Sequence, residues 1–472
     1  MNKQITQKAI LICADILAVL TAFVLSLFIT FEYHNFPTQS IANVRSFFNP
    51  GISKFLGLIV IAIFWYQEHY VKRRPFWEEF LQIVKTVGFI LLINLGIILI
   101  LSKGSYKVLV VGFWLILIFT IPLSRIFMKK IMNKFDYWKR DLFIIGYGDS
   151  AIEAYRLFAR NSWMGYQLRG FVDVFNDDVL NYGHLPVPLI NEESLLSYIK
   201  ENSNSDVIVA LSNEELNKKI ELINYLQHEC TSLLVLPDVT GLAFYGAEIE
   251  HFFGNEQLIL RMSTNLSKRF NRILKRLFDI VLGIIILIIV SPLLITIAII
   301  IKVTTKSNAF FLHNRVGKNG EIFPCIKFQT MHPDSKKILE NLLKSDDLIR
   351  AEWESCFKLK DDPRVTQIGK FLRSTSLDEL PQIFNVLIGQ MSLVGPRPIV
   401  LQEVERYKEG YYYYKMVLPG ITGLWQVSGR SDVDYENRVR LDEFYVRNWS
   451  LWYDIVILFK TFGVVLKRTG AY

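Results

Sequence analysis

The strongest constraint on this fold is a set of five long apolar runs, four of which precede residue 125. The first, residues 9–31, holds one acid, Asp15, and at ~1.5 Å per residue can cross a ~30 Å hydrocarbon core. The next three are residues 55–65, 84–101 and 108–121. They predict a four-helix transmembrane bundle over residues 1–135. We expect a partner inside this bundle to satisfy Asp15, which favours a structural role over one in transport.

Basic residues are distributed unevenly around these runs. Eleven precede the first run or follow the second and fourth, whereas the other two loops hold four. The positive-inside rule therefore predicts that both ends of the bundle face the cytoplasm. The formal net charge of +8 suits an anionic membrane surface, a phosphorylated ligand or a nucleic acid. The four cysteines have no spacing typical of a disulfide framework or a zinc site.

Residues 136–262 have the pattern of an α/β domain. Residues 141–151 predict a strand, a glycine turn and a helix, and further strands are predicted at 170–174, 207–210 and 232–236. This alternation predicts a parallel sheet in a truncated Rossmann-like fold. Gly146, Gly148 and Ala151 resemble a dinucleotide fingerprint, with Asp173 as a conceivable ribose ligand. The sequence leaves open two roles, a scaffold or oligomerisation module and a nucleotide-binding regulator.

The fifth apolar run, residues 280–301, is long enough to span a membrane but has positive charge on both sides. Ser291 and Pro292 lie at its middle, where proline removes a backbone donor. The break predicted there allows the chain to enter one leaflet and return to the same face, provided that Ser291 or its neighbours satisfy the freed carbonyls. A kinked helix that spans the membrane is the alternative. The basic residues around this run, including Lys275 and Arg276, predict contact with anionic lipid headgroups.

Residues 311–472 carry the candidate chemistry. Asp378 is predicted in the first turn of a helix, where backbone amides favour an ionised carboxylate that can act as a nucleophile. Glu379 beside it could help hold a divalent cation. The alternative is structural, a capping box between Ser376 and Glu379.

Several basic residues of this region could bind a phosphorylated ligand. Arg397 follows a Gly-Pro pair on a loop that can present its guanidinium to phosphate oxygens, and Arg373 lies five residues before Asp378. Each arginine alone is more often a solvated surface charge. Together with Arg315, Lys327 and Arg364, they supply enough positive charge for a pyrophosphate leaving group.

The second half of the chain contains a series of short motifs: Lys275-Arg276-x-Phe278-Asp279, Ser291-Pro292, Arg315-Val316-Gly317, Lys327-Phe328, Asp362-Pro363-Arg364-Val365, Ser376-Leu377-Asp378-Glu379-Leu380-Pro381-Gln382, Gly395-Pro396-Arg397-Pro398 and Gly429-Arg430. This series resembles the bacterial sugar transferase family, the monotopic phosphoglycosyl transferases. The resemblance covers about residues 268–472 in unbroken order, and the four-helix and Rossmann-like regions before it are typical of the large members. Gln329 departs from the family pattern, which usually has arginine after Lys327-Phe328.

The resemblance implies a multi-domain membrane protein whose residues 263–472 form a mainly helical α+β monotopic catalytic domain, with a re-entrant helix at about 266–303. It implies transfer of a hexose 1-phosphate, with UDP-galactose as the expected donor, to undecaprenyl phosphate, with release of UMP and with Mg²⁺ present. Asp378 would form a covalent phosphosugar, Asp378 and Glu379 would hold the metal, and Lys275 and Arg276 would guide the lipid phosphate.

The expected location is the bacterial inner membrane, with the catalytic domain in the cytoplasm, where UDP-sugars are found, and the expected pathway is O-antigen or other surface polysaccharide assembly. Expected partners are a UDP-hexose, undecaprenyl phosphate and membrane lipids, with a homodimer as a further candidate and no nucleic acid. Three alternatives stay open: the same reaction with UDP-glucose, a non-enzymatic membrane nucleotide sensor, and a transporter with a five-helix bundle.

Overall fold

The computed structural model describes residues 3–34, 59–101, 107–175, 187–202, 205–237, 247–251, 258–261, 265–345, 350, 362–429 and 433–467. The chain forms two compact units, Met1–Thr240 and Gly241–Tyr472. The division into three domains predicted from the sequence stays a prediction.

The first unit begins with apolar helices that are long enough to cross a membrane. They are α1 (Lys3–His34), α2 (Phe76–Leu101) and α3 (Lys107–Lys134). Residues 59–66 are also helical, whereas the start of the second predicted span lies outside the described residues. Three of the four predicted spans are therefore present in the described part of the chain.

Ionic contacts inside this bundle confirm the structural interpretation of Asp15. Its carboxylate is fully buried and accepts hydrogen bonds from the Arg125 guanidinium at 2.6 and 2.9 Å and from the Tyr70 hydroxyl at 2.8 Å. Arg125 also donates to Glu79 at 2.9 Å, and Lys129 contacts the second oxygen of Glu79 at 2.5 Å. Every charge in the cluster therefore has an opposite charge beside it, which offsets the cost of burial.

A parallel sheet follows in the same unit, as the sequence predicted, and it has a fifth strand, Leu189–Asn191, that was not predicted. The strand order is β3-β2-β1-β4-β5. The strands are β1 (Arg140–Ile145), β2 (Tyr166–Asp173), β3 (Leu189–Asn191), β4 (Ser205–Val209) and β5 (Ser232–Val235). The helices between them are α4 (Asp149–Arg160), α5 (Glu192–Glu201), α6 (Asn213–Lys218) and α7 (Ile220–Glu229).

Alternate residues of β1 supply the two cores of this sheet. Phe143 and Ile145 belong to a core with the apolar faces of α5 and α7, whereas Leu142 and Ile144 belong to a second core with α4. Because successive strand side chains point to opposite faces, a central strand covered by helices on both sides has no polar alternation. This explains the continuous apolar run at the start of the domain.

The second unit combines one long helix with short strands and helices. It begins with a hairpin of β6 (Glu248–His251) and β7 (Leu258–Arg261), followed by α8 (Arg269–Thr305) and a second hairpin of β8 (Phe310–Val316) and β9 (Ile322–Phe328). Then come α9 (Ser335–Ser345), α10 (Gln367–Ser374), α11 (Gln382–Ile388), β10 (Ser392–Val394), α12 (Tyr411–Tyr414), β11 (Gly420–Thr422), α13 (Leu424–Val427), α14 (Tyr435–Arg447) and α15 (Leu451–Lys467).

Helix α8 continues across Pro292, where the sequence predicted a break. Proline cannot donate to the carbonyl of Ile288, four residues earlier. The Ser291 hydroxyl donates to that carbonyl at 2.9 Å instead. The prediction that Ser291 satisfies the freed carbonyl is confirmed. The hydroxyl replaces the missing backbone donor, which explains why the helix is uninterrupted over its 37 residues.

Both halves of α8 pack on the remainder of the second unit. In the first half, Leu282 and Ile286 join a core with Ile383 and Val386 of α11. In the second half, Leu294, Ile297 and Ile301 pack with Phe328 of β9 and Leu372 of α10. The opposite side of the helix exposes an apolar face along its length, which includes Phe270, Leu277, Ile284, Ile288, Ile295 and Val303.

Candidate active site

The acid pair predicted as the catalytic centre lies in a short 3₁₀ turn, Leu377–Glu379, between α10 and α11. Ser376 before it has a left-handed backbone with φ of 57° and makes no capping hydrogen bond. Glu379 instead accepts a hydrogen bond of 2.6 Å from the Lys327 ammonium on β9. The capping-box alternative is therefore wrong, because Glu379 pairs across the fold with a strand rather than with its own helix.

The two neighbouring carboxyls have opposite pKa shifts. Burial and the negative charge of Glu379 raise the pKa of Asp378 to about 6, although Lys327 and Arg373 oppose the shift. Burial also disfavours ionisation of Glu379, but the charges of Lys327 and Arg397 outweigh it and lower the pKa to about 2. The backbone of this turn does favour ionised Asp378, as the sequence predicted, but it supplies less compensation than burial and the charge of Glu379 remove.

Three predicted cationic residues and Glu379 line one cleft. Arg315, Lys327 and Arg397 bring three positive charges to a cleft that contains one carboxylate in its wall. Arg315 donates to the Pro398 carbonyl at 3.1 Å, and its guanidinium lies 3.9 Å from Glu403. The cleft therefore has the charge expected of a site for a phosphorylated ligand. Its lining comprises Arg315, Lys327, Glu379, Gln382, Arg397, Pro398, Ile421 and Gln426.

Asn385 on α11 fixes the strand that carries Lys327 beside the acid pair. Its fully buried side chain accepts from the Ile326 amide at 3.0 Å and donates to the Pro324 carbonyl at 2.8 Å. Both contacts are to β9, within three residues of Lys327. The short distance between Lys327 and Glu379 thus follows from a strand bound to the helix that begins just after the acid pair.

The other two predicted phosphate ligands lie outside the lining of this cleft. Arg364 is buried and binds the Asp362 carboxylate at 2.6 and 2.8 Å. Arg373 donates to the Thr330 hydroxyl at 3.0 Å, and its charge lowers the pKa of Asp378. Arg373 can therefore affect the nucleophile electrostatically, whereas the contacts of Arg364 favour a structural role.

Lys275 and Arg276, predicted to guide a lipid phosphate, both make contacts within the second unit. The Lys275 ammonium lies 3.0 Å from Asp279 and 2.8 Å from Asp454, two fully buried carboxylates. Arg276 donates to the carbonyls of Val386 and Leu387 at the end of α11, at 2.6 and 2.9 Å. These contacts favour a structural role, in which the start of α8 is attached to the helix that follows the acid pair.

Two glutamines of the cleft were missed by the sequence analysis. The carboxamide oxygens of Gln382 and Gln426 are buried, and the described residues give neither a hydrogen-bond partner. Such atoms are costly unless a ligand or water satisfies them. Gln382 ends the family motif that contains Asp378 and lies one helical turn after it, but the sequence analysis gave it no role.

The acid pair fits a divalent cation only with help from a ligand. Among the described residues, no three His, Cys, Asp or Glu side chains cluster as a metal site. Mg²⁺ commonly binds through one or two carboxylates together with substrate phosphates. Asp378 and Glu379 beside a cationic cleft are consistent with that arrangement.

Sequence comparisons agree with this site. Residues 270–468 match the family model for bacterial sugar transferases. The chain is 40% identical over 478 residues to an uncharacterized sugar transferase of Haemophilus influenzae, and the alignment covers 100% of both proteins. The chain belongs to the bacterial sugar transferase family.

Two further relatives of this sugar transferase have specific names. An undecaprenyl-phosphate galactose phosphotransferase of Salmonella typhimurium is 43% identical over 88% of the chain and 87% of the relative. A UDP-galactose-lipid carrier transferase of Erwinia amylovora is 41% identical over the same shares of both proteins. The sugar transferase thus has near-full-length relatives, and the similarity includes its first unit.

Proposed function

We propose that this enzyme transfers galactose 1-phosphate from UDP-galactose to undecaprenyl phosphate, releases UMP and acts at the first membrane step of surface polysaccharide assembly. The observation that carries the proposal is the cleft in which Glu379 of the acid pair lies among Arg315, Lys327 and Arg397. Galactose is the proposed sugar because two relatives carry it in their names.

The cleft provides the groups that such a transfer needs. Arg315, Lys327 and Arg397 bind the pyrophosphate of the donor and stabilise the charge that develops on UMP. A carboxylate oxygen of Asp378 forms a bond to the sugar-proximal phosphorus. The bond from that phosphorus to the bridging oxygen breaks, and UMP leaves with the electron pair. A phosphate oxygen of undecaprenyl phosphate then attacks the same phosphorus and displaces Asp378.

The contact between Lys327 and Glu379 adds a binding step to this scheme. Their 2.6 Å hydrogen bond occupies the ammonium when no donor is bound. The incoming pyrophosphate competes with Glu379 for Lys327 and leaves that carboxylate available as a metal ligand. Mg²⁺, held by Asp378, Glu379 and the donor phosphates, would supply positive charge against the crowded oxygens.

We propose further that α8 is re-entrant, bent at Pro292 rather than interrupted there, and keeps this cleft at the cytoplasmic membrane surface. The support is that both halves of the helix pack on one compact unit while its opposite side exposes an apolar face. A straight helix of this length would measure ~55 Å. A helix that crossed the ~30 Å core would place its two ends on opposite sides of the membrane.

The five-stranded sheet is proposed to be a truncated Rossmann-like scaffold. Its strand order is the one expected of that fold. Asp149 occupies the first turn of α4, at the helix start that receives a pyrophosphate in dinucleotide-binding proteins. A carboxylate at this position repels phosphate, which favours the scaffold over the nucleotide-binding regulator.

The decisive experiment measures UMP release by purified enzyme with UDP-galactose or UDP-glucose, with and without undecaprenyl phosphate. We expect UDP-galactose to be the better donor, and Asp378→Asn to abolish both UMP release and the covalent phosphosugar. Preference for UDP-glucose would replace the proposed donor but keep the reaction class. Normal turnover by Asp378→Asn would refute the covalent route.

Labelling of a single cysteine at position 302 tests the proposed topology. In a variant without the native cysteines, Lys302→Cys should react with an impermeant reagent only when it is applied to the cytoplasmic side. Phe270→Cys, at the other end of α8, is the matched control and should react from the same side. Labelling of the two positions from opposite sides would refute re-entry.

A further inference from the structure

A second cleft, distant in sequence from the acid pair, lies within the membrane-associated part of the first unit. It has a volume of about 270 Å³ and is lined by side chains that follow residues 59–66 or belong to the first turns of α2. The lining residues are Gln67, Arg74, Gln82, Lys85 and Thr86. All five are polar, although the apolar run of α2 begins at residue 84.

The hydrogen bonds within this cleft use the side-chain oxygens of its two glutamines as acceptors, which leaves mainly donor groups for a ligand. Arg74 donates to the side-chain oxygen of Gln82 and to the backbone carbonyl of Gln67, the latter at 2.8 Å. The Thr86 hydroxyl donates to the side-chain oxygen of Gln67 at 3.2 Å. Each carboxamide oxygen already accepts a bond, so the groups that the two glutamines can offer a ligand are their amide N–H donors. A lining of donors and cations selects an anion.

The lining itself contains two cations, Arg74 and Lys85, and no carboxylate. Glu68 forms an ion pair with Lys72 at 2.5 Å, and Glu79 is held by Arg125 and Lys129. Lys85 is exposed, and the described part of the chain places no carboxylate within 4 Å of its ammonium. Burial lowers the pKa of Arg74, whereas Glu79, Glu68 and Glu78 act to raise it from outside the lining. The lining therefore has net positive charge, and the Lys85 ammonium is its exposed part.

Side chains around the cleft indicate its depth in the membrane. Trp65 and Tyr66, which precede Gln67, are 59% and 86% exposed, as expected for an aromatic belt at a membrane interface. Phe89 and Leu92 of α2 follow Lys85 by one and two helical turns, within the apolar run, and are 61% and 69% exposed. The cleft thus lies between an aromatic belt and a lipid-facing apolar surface, which is the level of phospholipid headgroups.

We propose that this cleft binds the phosphate of an anionic phospholipid, with Lys85 and Arg74 as its cationic ligands. The acyl chains would lie along the apolar surface that includes Phe89 and Leu92. The site is separate from the candidate active site and does not depend on the proposed sugar donor.

The test is lipid binding to the full-length protein in detergent, measured by native mass spectrometry. Phosphatidylglycerol is the probe, phosphatidylethanolamine is the zwitterionic control, and inorganic phosphate is added as a competitor in a third arm. Lys85→Gln removes one cation, and Lys130→Gln removes an exposed cation from α3 as the matched control. Because both lysines are exposed, neither change disturbs buried packing, and thermal unfolding of each variant checks this.

We expect the wild type to retain phosphatidylglycerol in preference to phosphatidylethanolamine. Lys85→Gln should weaken this retention roughly tenfold, whereas Lys130→Gln should leave it within about twofold. Equal retention by the two variants would overturn the proposal and indicate that Lys85 only extends its ammonium toward water. Binding of inorganic phosphate without binding of phosphatidylglycerol would overturn the assignment to a lipid.

Discussion

Removal of the Lys275 ammonium should destabilise the second unit and should have no specific effect on the KM for the lipid acceptor. Lys275 lies between Asp279 and Asp454, whose side chains are 1% and 0% exposed. Lys275→Met keeps most of the apolar length of the side chain and removes its charge. The change therefore tests the contribution of the two ion pairs to stability. It also distinguishes a structural role of Lys275 from the lipid guidance that the sequence predicted.

The structure sets the size of the expected loss. Removal of one partner from a buried ion pair costs about 3–5 kcal/mol, because the remaining charge is left without compensation. Asp279 keeps its hydrogen bonds from Ser392 and Leu393, and Asp454 keeps those from Tyr445 and Trp449. These donors reduce the free-energy cost for each carboxylate, but two carboxylates lose the ammonium. We therefore expect the free energy of unfolding to fall by about 3–5 kcal/mol.

The loss should also depend on pH. Burial raises the pKa of Asp454 above its usual range, and the Lys275 charge opposes this shift. Without Lys275 the folded-state pKa is higher still, so the folded protein binds a proton more readily than the unfolded chain does. Stability then falls as pH rises through the folded-state pKa. The difference between Lys275→Met and wild type should therefore be smaller at acidic pH than at alkaline pH.

Thermal or urea unfolding of the detergent-solubilised protein measures this effect. Lys72→Met is the matched control, because its ion pair with Glu68 is exposed to solvent and should contribute far less to stability than the buried pairs of Lys275. A Lys275→Met protein as stable as Lys72→Met, with a raised KM for undecaprenyl phosphate, would refute this reasoning. That result would favour lipid guidance.

Three further changes test the candidate active site. In metal-free protein, the infrared signal of the Asp378 carboxyl should show ionisation near pH 6, and this signal should be absent from Asp378→Asn. UMP release should correspondingly fall as the pH is lowered, because protonated Asp378 is a poor nucleophile. Lys327→Met should raise the pKa of both acidic side chains, since its charge lowers each, and should shift the pH profile of UMP release upward. Asn385→Leu should lower stability by about 1–3 kcal/mol, by analogy with other buried hydrogen bonds, and should raise the KM for the donor, as thermal unfolding and initial rates will show.

The sequence predicted the elements whose signals are local. The apolar runs identified α1, α2, α3 and α8, and the alternation of apolar segments identified the parallel sheet. Three of the five cationic residues predicted to bind phosphate, Arg315, Lys327 and Arg397, do line one cleft. They were recognisable because they occur in motifs with Gly, Pro or aromatic neighbours, which restrict the backbone around them.

Two of the residues placed differently are paired with carboxylates in the structure, which their sequence context did not reveal. Lys275 resembles a surface cation in its sequence context, but Asp454 lies 179 residues later. Arg364 was predicted to contact phosphate, yet Asp362 occupies its guanidinium. Local patterns report which side chains are charged, whereas burial and pairing decide which charges are available to a ligand.

The same distinction explains how two adjacent carboxyls acquire different roles. Asp378 and Glu379 have the same local environment in the sequence, but one hydrogen bond from β9 reaches Glu379. Asn385 fixes that strand, and Arg276 attaches the far end of α11 to the apolar helix α8. The contacts that hold the acid pair therefore also fix its distance from α8. If α8 enters the membrane as proposed, the nucleophile is held at a set height, where an acceptor with a long lipid tail presents its phosphate.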